Sequence, residues 1–141
     1  MTVRTLALLV ALLSVAPAHA ADPLPAPAKA AVDKVLADEK AELQGSSTMA
    51  DLDGDGTPEV VFVWSQLGVA HPKKALVVLA HAHDGYHPLA STPLSGEVVL
   101  GDVKDGIITV VRYPLHPPKC CPSKKYFQRY LLMAGRLVDA K

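Results

Sequence analysis

Hydrophobic and polar positions change their spacing once along the chain, near Gly45. Over residues 28–43, apolar residues recur at helical spacing among charged ones, which predicts one amphipathic helix with Gly45 placed to end it. Beyond Gly45 the apolar runs are short, rich in β-branched residues and separated by turn residues, which predicts strands. The predicted strands cover residues 59–65, 74–83, 86–90, 97–100, 107–113, 126–133 and 137–139.

Short turns join several of these strands. Asp84-Gly85, Lys104-Asp105-Gly106 and Ala134-Gly135-Arg136 contain residues that accept positive φ, as tight hairpins require. Because hairpins join antiparallel strands, the sequence predicts an α+β domain, with the N-terminal helix packed on a meandering antiparallel sheet of about six or seven short strands. No period of about 20 to 50 residues repeats, so a complete propeller or solenoid is not expected from this chain.

The first 20 residues have the pattern of a secretory signal peptide. Arg4 precedes an apolar stretch, and Ala18-His19-Ala20 provides a small-residue site, so we expect cleavage after Ala20. Residues 21–27 are predicted to form a proline-rich linker and residues 28–141 a single domain. The apolar stretch is too short for a membrane-spanning helix, so we expect no membrane insertion of the mature chain and a periplasmic or secreted location.

The charge balance and the absence of catalytic motifs argue against two classes of function, nucleic-acid binding and catalysis. The chain has 14 Lys and Arg against 14 Asp and Glu, and cleavage after Ala20 removes only Arg4, leaving 13 against 14. This balance offers no basic surface for nucleic acid, which we do not expect as a partner. The motifs that pair a nucleophile with a base, and phosphate-binding glycine loops, are absent. We therefore assign no catalytic residue and predict that the protein is not an enzyme.

The most informative segment is the acidic loop, defined here as residues 51–59, Asp-Leu-Asp-Gly-Asp-Gly-Thr-Pro-Glu. Carboxylates at its positions 1, 3 and 5 converge when the chain turns tightly, and Gly56 at position 6 permits that turn. Such hard oxygen ligands favour Ca²⁺, with a backbone carbonyl at position 7 and a carboxylate at position 9. The alternative is an acidic turn that binds no ion. The predicted metal ligands are Asp51, Asp53, Asp55, Thr57 and Glu59.

The acidic loop and the Val-Val-Phe-Val that follows it resemble the FG-GAP or VCBS-type repeat of integrin-like β-propellers. This resemblance covers about residues 48–65 and implies that the same five residues bind Ca²⁺ between two strands. The chain also resembles small exported bacterial proteins that carry one such loop and a late Cys-Cys-Pro-Ser. We therefore expect an exported calcium-binding domain, in which the ion is structural, that contacts a protein or a glycan.

The adjacent cysteines Cys120 and Cys121 are the only two in the chain. Neighbouring Cα atoms lie about 3.8 Å apart, below the usual disulfide range of about 4.4 to 6.8 Å. A vicinal disulfide therefore needs a strained ring, and two free thiols are the alternative. With the histidines, these sulfurs suit Zn or Cu(I), so a metal-handling or redox protein is the alternative function. No known ligand spacing links His71, His81, His83, His87 and His116, which favours scattered surface positions.

Aromatic residues on the predicted strands favour core packing over a recognition surface. Tyr126 and Tyr130 share one face of their strand, and Phe127 takes the other. We expect one of these two faces to be buried, which leaves the other free to contact a partner.

Overall fold

The computed structural model describes residues 23–114 and 124–141. The α+β fold class predicted from the sequence is confirmed. Within the described ranges, no helix is long and apolar enough to cross a membrane. The elements in chain order are α1 (Ala26–Glu39), β1 (Ala41–Leu43), β2 (Thr48–Ala50), β3 (Glu59–Gln66), β4 (Lys74–Ala82), β5 (Gly85–Leu94), β6 (Glu97–Lys104), β7 (Ile107–Tyr113), β8 (Tyr126–Met133) and β9 (Arg136–Asp139).

The strands form two antiparallel sheets, where the sequence predicted one. The first sheet has the order β1-β3-β4-β5, with β2 also paired to β3, and the second has the order β6-β7-β8-β9. β1 and β2 are two parts of one edge, since Leu43 pairs with Trp64 and Thr48 pairs with Val61 of the same strand. The second sheet is a simple meander of consecutive strands.

Helix α1, the first sheet and the second sheet form three layers, with the first sheet in the middle. Val61 and Val63 of β3 face the second sheet and lie in the same core as Ile108 of β7. Phe62, between them on β3, faces the helix and lies in the same core as Val32 of α1. β3 is therefore buried on both faces, which explains its unbroken apolar sequence.

A buried lysine holds the connection between the two sheets. β5 ends at Leu94 on the first sheet, and β6 begins at Glu97 on the second. Lys74 is 8% exposed, and its Nζ donates to the carbonyl oxygen of Gly96 at 2.8 Å and lies 3.5 Å from Glu97 Oε1. The ammonium thus finds an acceptor and a countercharge within the chain, as a buried charge requires.

Helix α1 begins and ends earlier than the predicted 28–43. It starts at Ala26, inside the predicted linker, because Pro27 stands in the first turn, where its missing N–H is not needed. It ends at Glu39, after which Lys40 adopts a left-handed φ of 51°. Residues 41–43 pair with β3 instead of continuing the helix, because the sheet edge offers their backbone groups partners.

Strands β5 and β6 are both longer than predicted, running to Leu94 and Lys104. β5 continues through Pro88 and Pro93 because it lies at the edge of its sheet, the position that tolerates proline. β6 continues past a shift in register at Gly101, where a Cβ would lie 2.9 Å from a backbone oxygen of β7. Glycine is therefore required for the close approach of these two strands.

The aromatic side chains divide between core and surface. Trp64 and Tyr130 are buried, at 7% and 4% exposure, whereas Tyr126 and Phe127 are 58% and 63% exposed. Tyr126 shares a face of β8 with Tyr130, but it is the first residue of the strand and lies beyond the core between the sheets. Both faces of β8 are therefore open at this end of the strand.

Candidate metal centre at the acidic loop

The acidic loop connects two paired strands of the first sheet. β2, a strand not predicted from the sequence, pairs with the start of β3 so that Ala50 lies opposite Glu59. Residues 51–58 therefore close a hairpin, and Glu59 is both the last residue of the loop and the first residue of β3. This pairing brings Glu59, at position 9 of the loop, close to Asp51 at position 1.

The aspartates of the loop accept hydrogen bonds from the loop's own backbone. Asp51 Oδ1 accepts from the N–H of Gly54 at 2.8 Å, and its Oδ2 accepts from the N–H of Gly56 at 2.9 Å. Asp53 and Asp55 each accept from the N–H two residues later, at 3.0 and 2.6 Å. Gly54 and Gly56 have φ angles of 80° and 89°, which other residues rarely adopt. The alternation of Asp and Gly thus determines the shape of the loop.

Leu52 anchors the loop to the core. It is 8% exposed and lies in the core between the two sheets, whereas Asp51 and Asp53 on either side of it are exposed. Its carbonyl oxygen lies close to the β6–β7 turn, since a Cβ on Gly106 would be 3.6 Å away. Leu52 was not among the residues predicted from the sequence to form the site; the available signal was one apolar residue between two aspartates.

Three of the five predicted ligands are brought together by this geometry. Carboxylate oxygens of Asp51, Asp53 and Glu59 all lie within 4.8 Å of one another. Asp55 is not a member of this group, and one of its oxygens is occupied by the N–H of Thr57. Thr57, which was predicted to act through its backbone carbonyl, follows on the same loop. The acidic triad of Asp51, Asp53 and Glu59 is thus the centre of the candidate site.

The electrostatics of the triad are unfavourable without a cation. Glu59 is 2% exposed, and this burial is the main cause that raises the pKa of its carboxyl above the ordinary value. The negative charges of Asp53 and Asp55 raise the pKa further, against the opposing effect of the Leu52 N–H, which donates to Glu59 Oε2 at 2.8 Å. The ionised form of Glu59 is therefore compensated only in part, because desolvation and like charges outweigh the hydrogen bond that it accepts.

The donor set fits a hard divalent cation. All three members of the triad supply carboxylate oxygens, the ligand type that Ca²⁺ and Mg²⁺ prefer. Each carboxylate oxygen has more than one lone pair, so the hydrogen bonds from the backbone leave capacity for an ion. The backbone bonds hold the aspartates in place before any ion arrives.

The described histidines lie in two regions. His71 belongs to the β3–β4 connection, at the opposite end of the first sheet from the acidic loop. The ring of His81 packs edge-on against Tyr86, with 5.0 Å between the ring centroids. His83 and His87 lie beside Asp84 in the β4–β5 hairpin. All four described histidines are exposed, and His83 and His87 share Asp84 as a neighbour.

Cys120, Cys121 and His116 lie outside the described residues. The vicinal disulfide, its free-thiol alternative and the metal-handling or redox function based on these residues therefore stay predictions.

A shallow concavity of about 400 Å³ lies on the outer face of the second sheet. It combines both signs of charge with one largely exposed aromatic ring, that of Phe127. Its lining residues are Asp102, Lys104, Asp105, Ile107, Thr109, Phe127 and Arg129.

Comparison of the chain with protein-family models, with curated proteins and with solved structures finds no match. The resemblance of the acidic loop to FG-GAP and VCBS-type repeats therefore stays a prediction, which rests on residues 48–65 alone.

Proposed function

We propose that this chain is an exported, non-enzymatic calcium-binding domain, in which the ion has a structural role and the second sheet contacts a protein or a glycan. The observation that carries the calcium assignment is the burial of Glu59 beside two exposed aspartates, with no countercharge from the described part of the chain in the triad. A divalent cation would supply that charge and tie the loop to β3.

Calcium fits this site better than softer metals do. The triad contains oxygen donors only, whereas Zn²⁺ and Cu²⁺ prefer sites with imidazole or thiolate. Magnesium demands near-ideal octahedral geometry, and a loop of backbone-capped aspartates is better suited to the larger, more tolerant Ca²⁺. Asp55 and the Thr57 carbonyl, next along the loop, would complete the shell.

Export supports the same assignment. The signal-like residues 1–20 direct the chain to a compartment where calcium reaches the concentration range of about 10⁻⁴ to 10⁻³ M at which extracellular modules bind it. A single loop has no paired partner that would convert occupancy into a helix movement, which favours a structural over a signalling role.

Calcium titration of the purified protein, followed by its melting temperature, tests the ion assignment. An ion that binds only the folded state, present at ten times its dissociation constant, stabilises that state by about 1.4 kcal/mol. For a domain of this size the melting temperature should rise by about 5 °C. Asp53→Asn should abolish most of this rise.

The matched control is Asp105→Asn, which removes one carboxylate from the neighbouring β6–β7 turn without touching the triad. It should retain the full response to calcium. An unchanged melting temperature at millimolar calcium, in the wild type and Asp53→Asn alike, would refute the calcium assignment.

The concavity on the second sheet is the proposed contact surface, because aromatic and arginine side chains are enriched in interfaces and Phe127 and Arg129 both line it. Phe127→Ala and Arg129→Ala should each abolish co-purification of the partner from the native host, or binding to a glycan array. Met133→Ala, at a residue that is 58% exposed but outside the concavity, is the control. Equal binding by all three variants would contradict this part of the proposal.

A further inference from the structure

Charged residues in the connections between elements are divided by sign between the two ends of the molecule. The acidic loop, the β4–β5 turn, the β6–β7 turn and the β8–β9 turn lie at one end, called here the acidic end. These connections, all of them described, carry no Lys or Arg, and their acids are Asp51, Asp53, Asp55, Asp84 and Asp105. The charges of the chain therefore balance in number but not in position.

The connections at the opposite end, called here the basic end, have the other sign. They are the α1–β1, β3–β4, β5–β6 and β7–β8 segments, and the bond from Lys74 to the Gly96 carbonyl joins the two sheets there. Their described residues include no Asp or Glu, and their exposed lysines are Lys40, Lys73, Lys124 and Lys125. Glu97 borders this end, but its charge is compensated by Lys74 at 3.5 Å.

The β3–β4 connection adds exposed aliphatic side chains to the basic end. Leu67 is 51% exposed and Val69 is 47% exposed. The N–H of Leu67 donates to the carbonyl oxygen of Lys40 at 2.9 Å. The N–H of Gln66 donates to the carbonyl oxygen of Lys73 at 2.8 Å. These two bonds hold a pair of exposed lysines beside the base of an apolar loop.

We propose that the basic end docks this protein on an anionic lipid surface. Leu67 and Val69 enter the headgroup region, and the four lysines contact the headgroups. Apolar side chains beside bases are typical of contact with the membrane interface, where anionic lipids attract each nearby lysine. The long stem of lysine lets its ammonium stay in water while neighbouring apolar groups are buried. Such contact is peripheral and needs no membrane-spanning helix.

A lipid surface fits the basic end better than an acidic protein does. Lysine is depleted in protein interfaces, where arginine and aromatic residues are enriched. The connections at the basic end offer lysines, and the exposed apolar residues of the β3–β4 connection are aliphatic. An anionic surface also repels the acidic end, so the molecule docks end-on and leaves the concavity of the second sheet accessible.

Co-sedimentation with vesicles tests the proposal. The exported chain, purified without residues 1–20, is mixed in EDTA with vesicles of phosphatidylglycerol and phosphatidylcholine, or of phosphatidylcholine alone. EDTA prevents Ca²⁺ from bridging the acidic loop to lipid. The chain should sediment with the anionic vesicles only. Lys40→Gln combined with Lys73→Gln should weaken binding by about 25-fold, or about fivefold for each lysine. Leu67→Ser combined with Val69→Ser should weaken it by at least about fivefold, because apolar burial is lost.

The matched control is Lys104→Gln combined with Arg136→Gln. It removes the same two positive charges, but from the last residue of β6 and the first residue of β9, both at the acidic end. This variant should bind the anionic vesicles as the wild type does. All the substituted positions are exposed, so melting temperatures should stay unchanged and show that the variants fold.

Failure of the wild type to sediment with anionic vesicles overturns the proposal. An equal loss of binding in the two charge variants also overturns it, because net charge alone would then explain the binding. Full binding by the Leu67→Ser, Val69→Ser variant would contradict the apolar contact. Binding to soluble polyglutamate but not to vesicles would assign the basic end to an acidic polypeptide instead. None of these outcomes depends on whether the acidic loop binds calcium.

Discussion

Glu59 and Lys74 are two buried charges at opposite ends of the first sheet, and they differ in the partners that compensate them. Lys74 Nζ has the Gly96 carbonyl at 2.8 Å and the Glu97 carboxylate at 3.5 Å. Glu59 has one backbone N–H, and its charged neighbours Asp53 and Asp55 have its own sign. Both residues are less than 10% exposed, so each buries a group that carries a charge in water and needs partners within the protein.

This difference in partners indicates which of the two buried charges requires an ion from solution. The lysine is compensated by the connection that it fixes, so its contribution to stability should not depend on any ion. The charge of Glu59 is compensated only in part. Its contribution to the stability of the folded state should therefore be unfavourable without a cation and favourable with one bound. The free energy of unfolding, measured with and without calcium, distinguishes these two behaviours.

Lys74→Met should have the largest effect. The substitution keeps the apolar stem but leaves the Gly96 carbonyl without its donor, which costs about 1 to 3 kcal/mol. Because the acceptor and countercharge belong to the chain, urea denaturation should give the same loss in calcium and in calcium-free buffer. A loss of stability seen only in the presence of calcium would show that Lys74 also depends on the ion and would contradict this prediction.

Glu59→Gln should show the opposite dependence. The amide oxygen can still accept from the Leu52 N–H, and repulsion with Asp53 and Asp55 disappears, so the calcium-free variant should be as stable as wild type or slightly more so. In calcium it should lose most of the ion-dependent gain, about 1 kcal/mol at tenfold saturation. Paired thermal melts in the two buffers measure this difference, and a large loss in calcium-free buffer would contradict it.

The pH dependence of stability should also distinguish the two states of the loop. Without calcium, the raised pKa of Glu59 in the folded state means that its contribution is present below the unfolded value of 4.5 and is lost as pH rises through the folded pKa. Wild type should therefore lose stability relative to Glu59→Gln over this rise in pH. With calcium bound to the ionised carboxylate, the relative change should reverse. Chemical denaturation at a series of pH values checks both signs.

Thr57→Ala should have the smallest effect. Thr57 is assigned to the ion through its backbone carbonyl, which alanine retains, so calcium affinity and stability should stay within about 0.5 kcal/mol of wild type. Calorimetric titration with calcium provides the measurement. A tenfold loss of affinity would mean that the hydroxyl, and not the carbonyl, contacts the ion.

Particular elements show which parts of the fold could be predicted. The β-branched run of β3 and the Gly-containing turns after β4, β6 and β8 gave correct strands and hairpins, because those signals are local. Leu43 was assigned to the helix by its spacing, but in the structure it pairs with Trp64 at a sheet edge. The strand predicted over residues 86–90 continues through Pro93 to Leu94, because it lies at a sheet edge, where proline is tolerated. Both errors come from partners that are distant in the sequence.

The sequence alone determined the acidic loop, since the spacing of Asp51, Asp53 and Asp55 and the positions of Gly54 and Gly56 define its turns through neighbouring backbone groups. It also determined the α+β class through the change from helical to strand-like spacing. Only the tertiary structure decided that the strands form two sheets and that Glu59 is buried while Asp51 and Asp53 are not. Burial depends on which surfaces pack together, and no local pattern of residues specifies that packing.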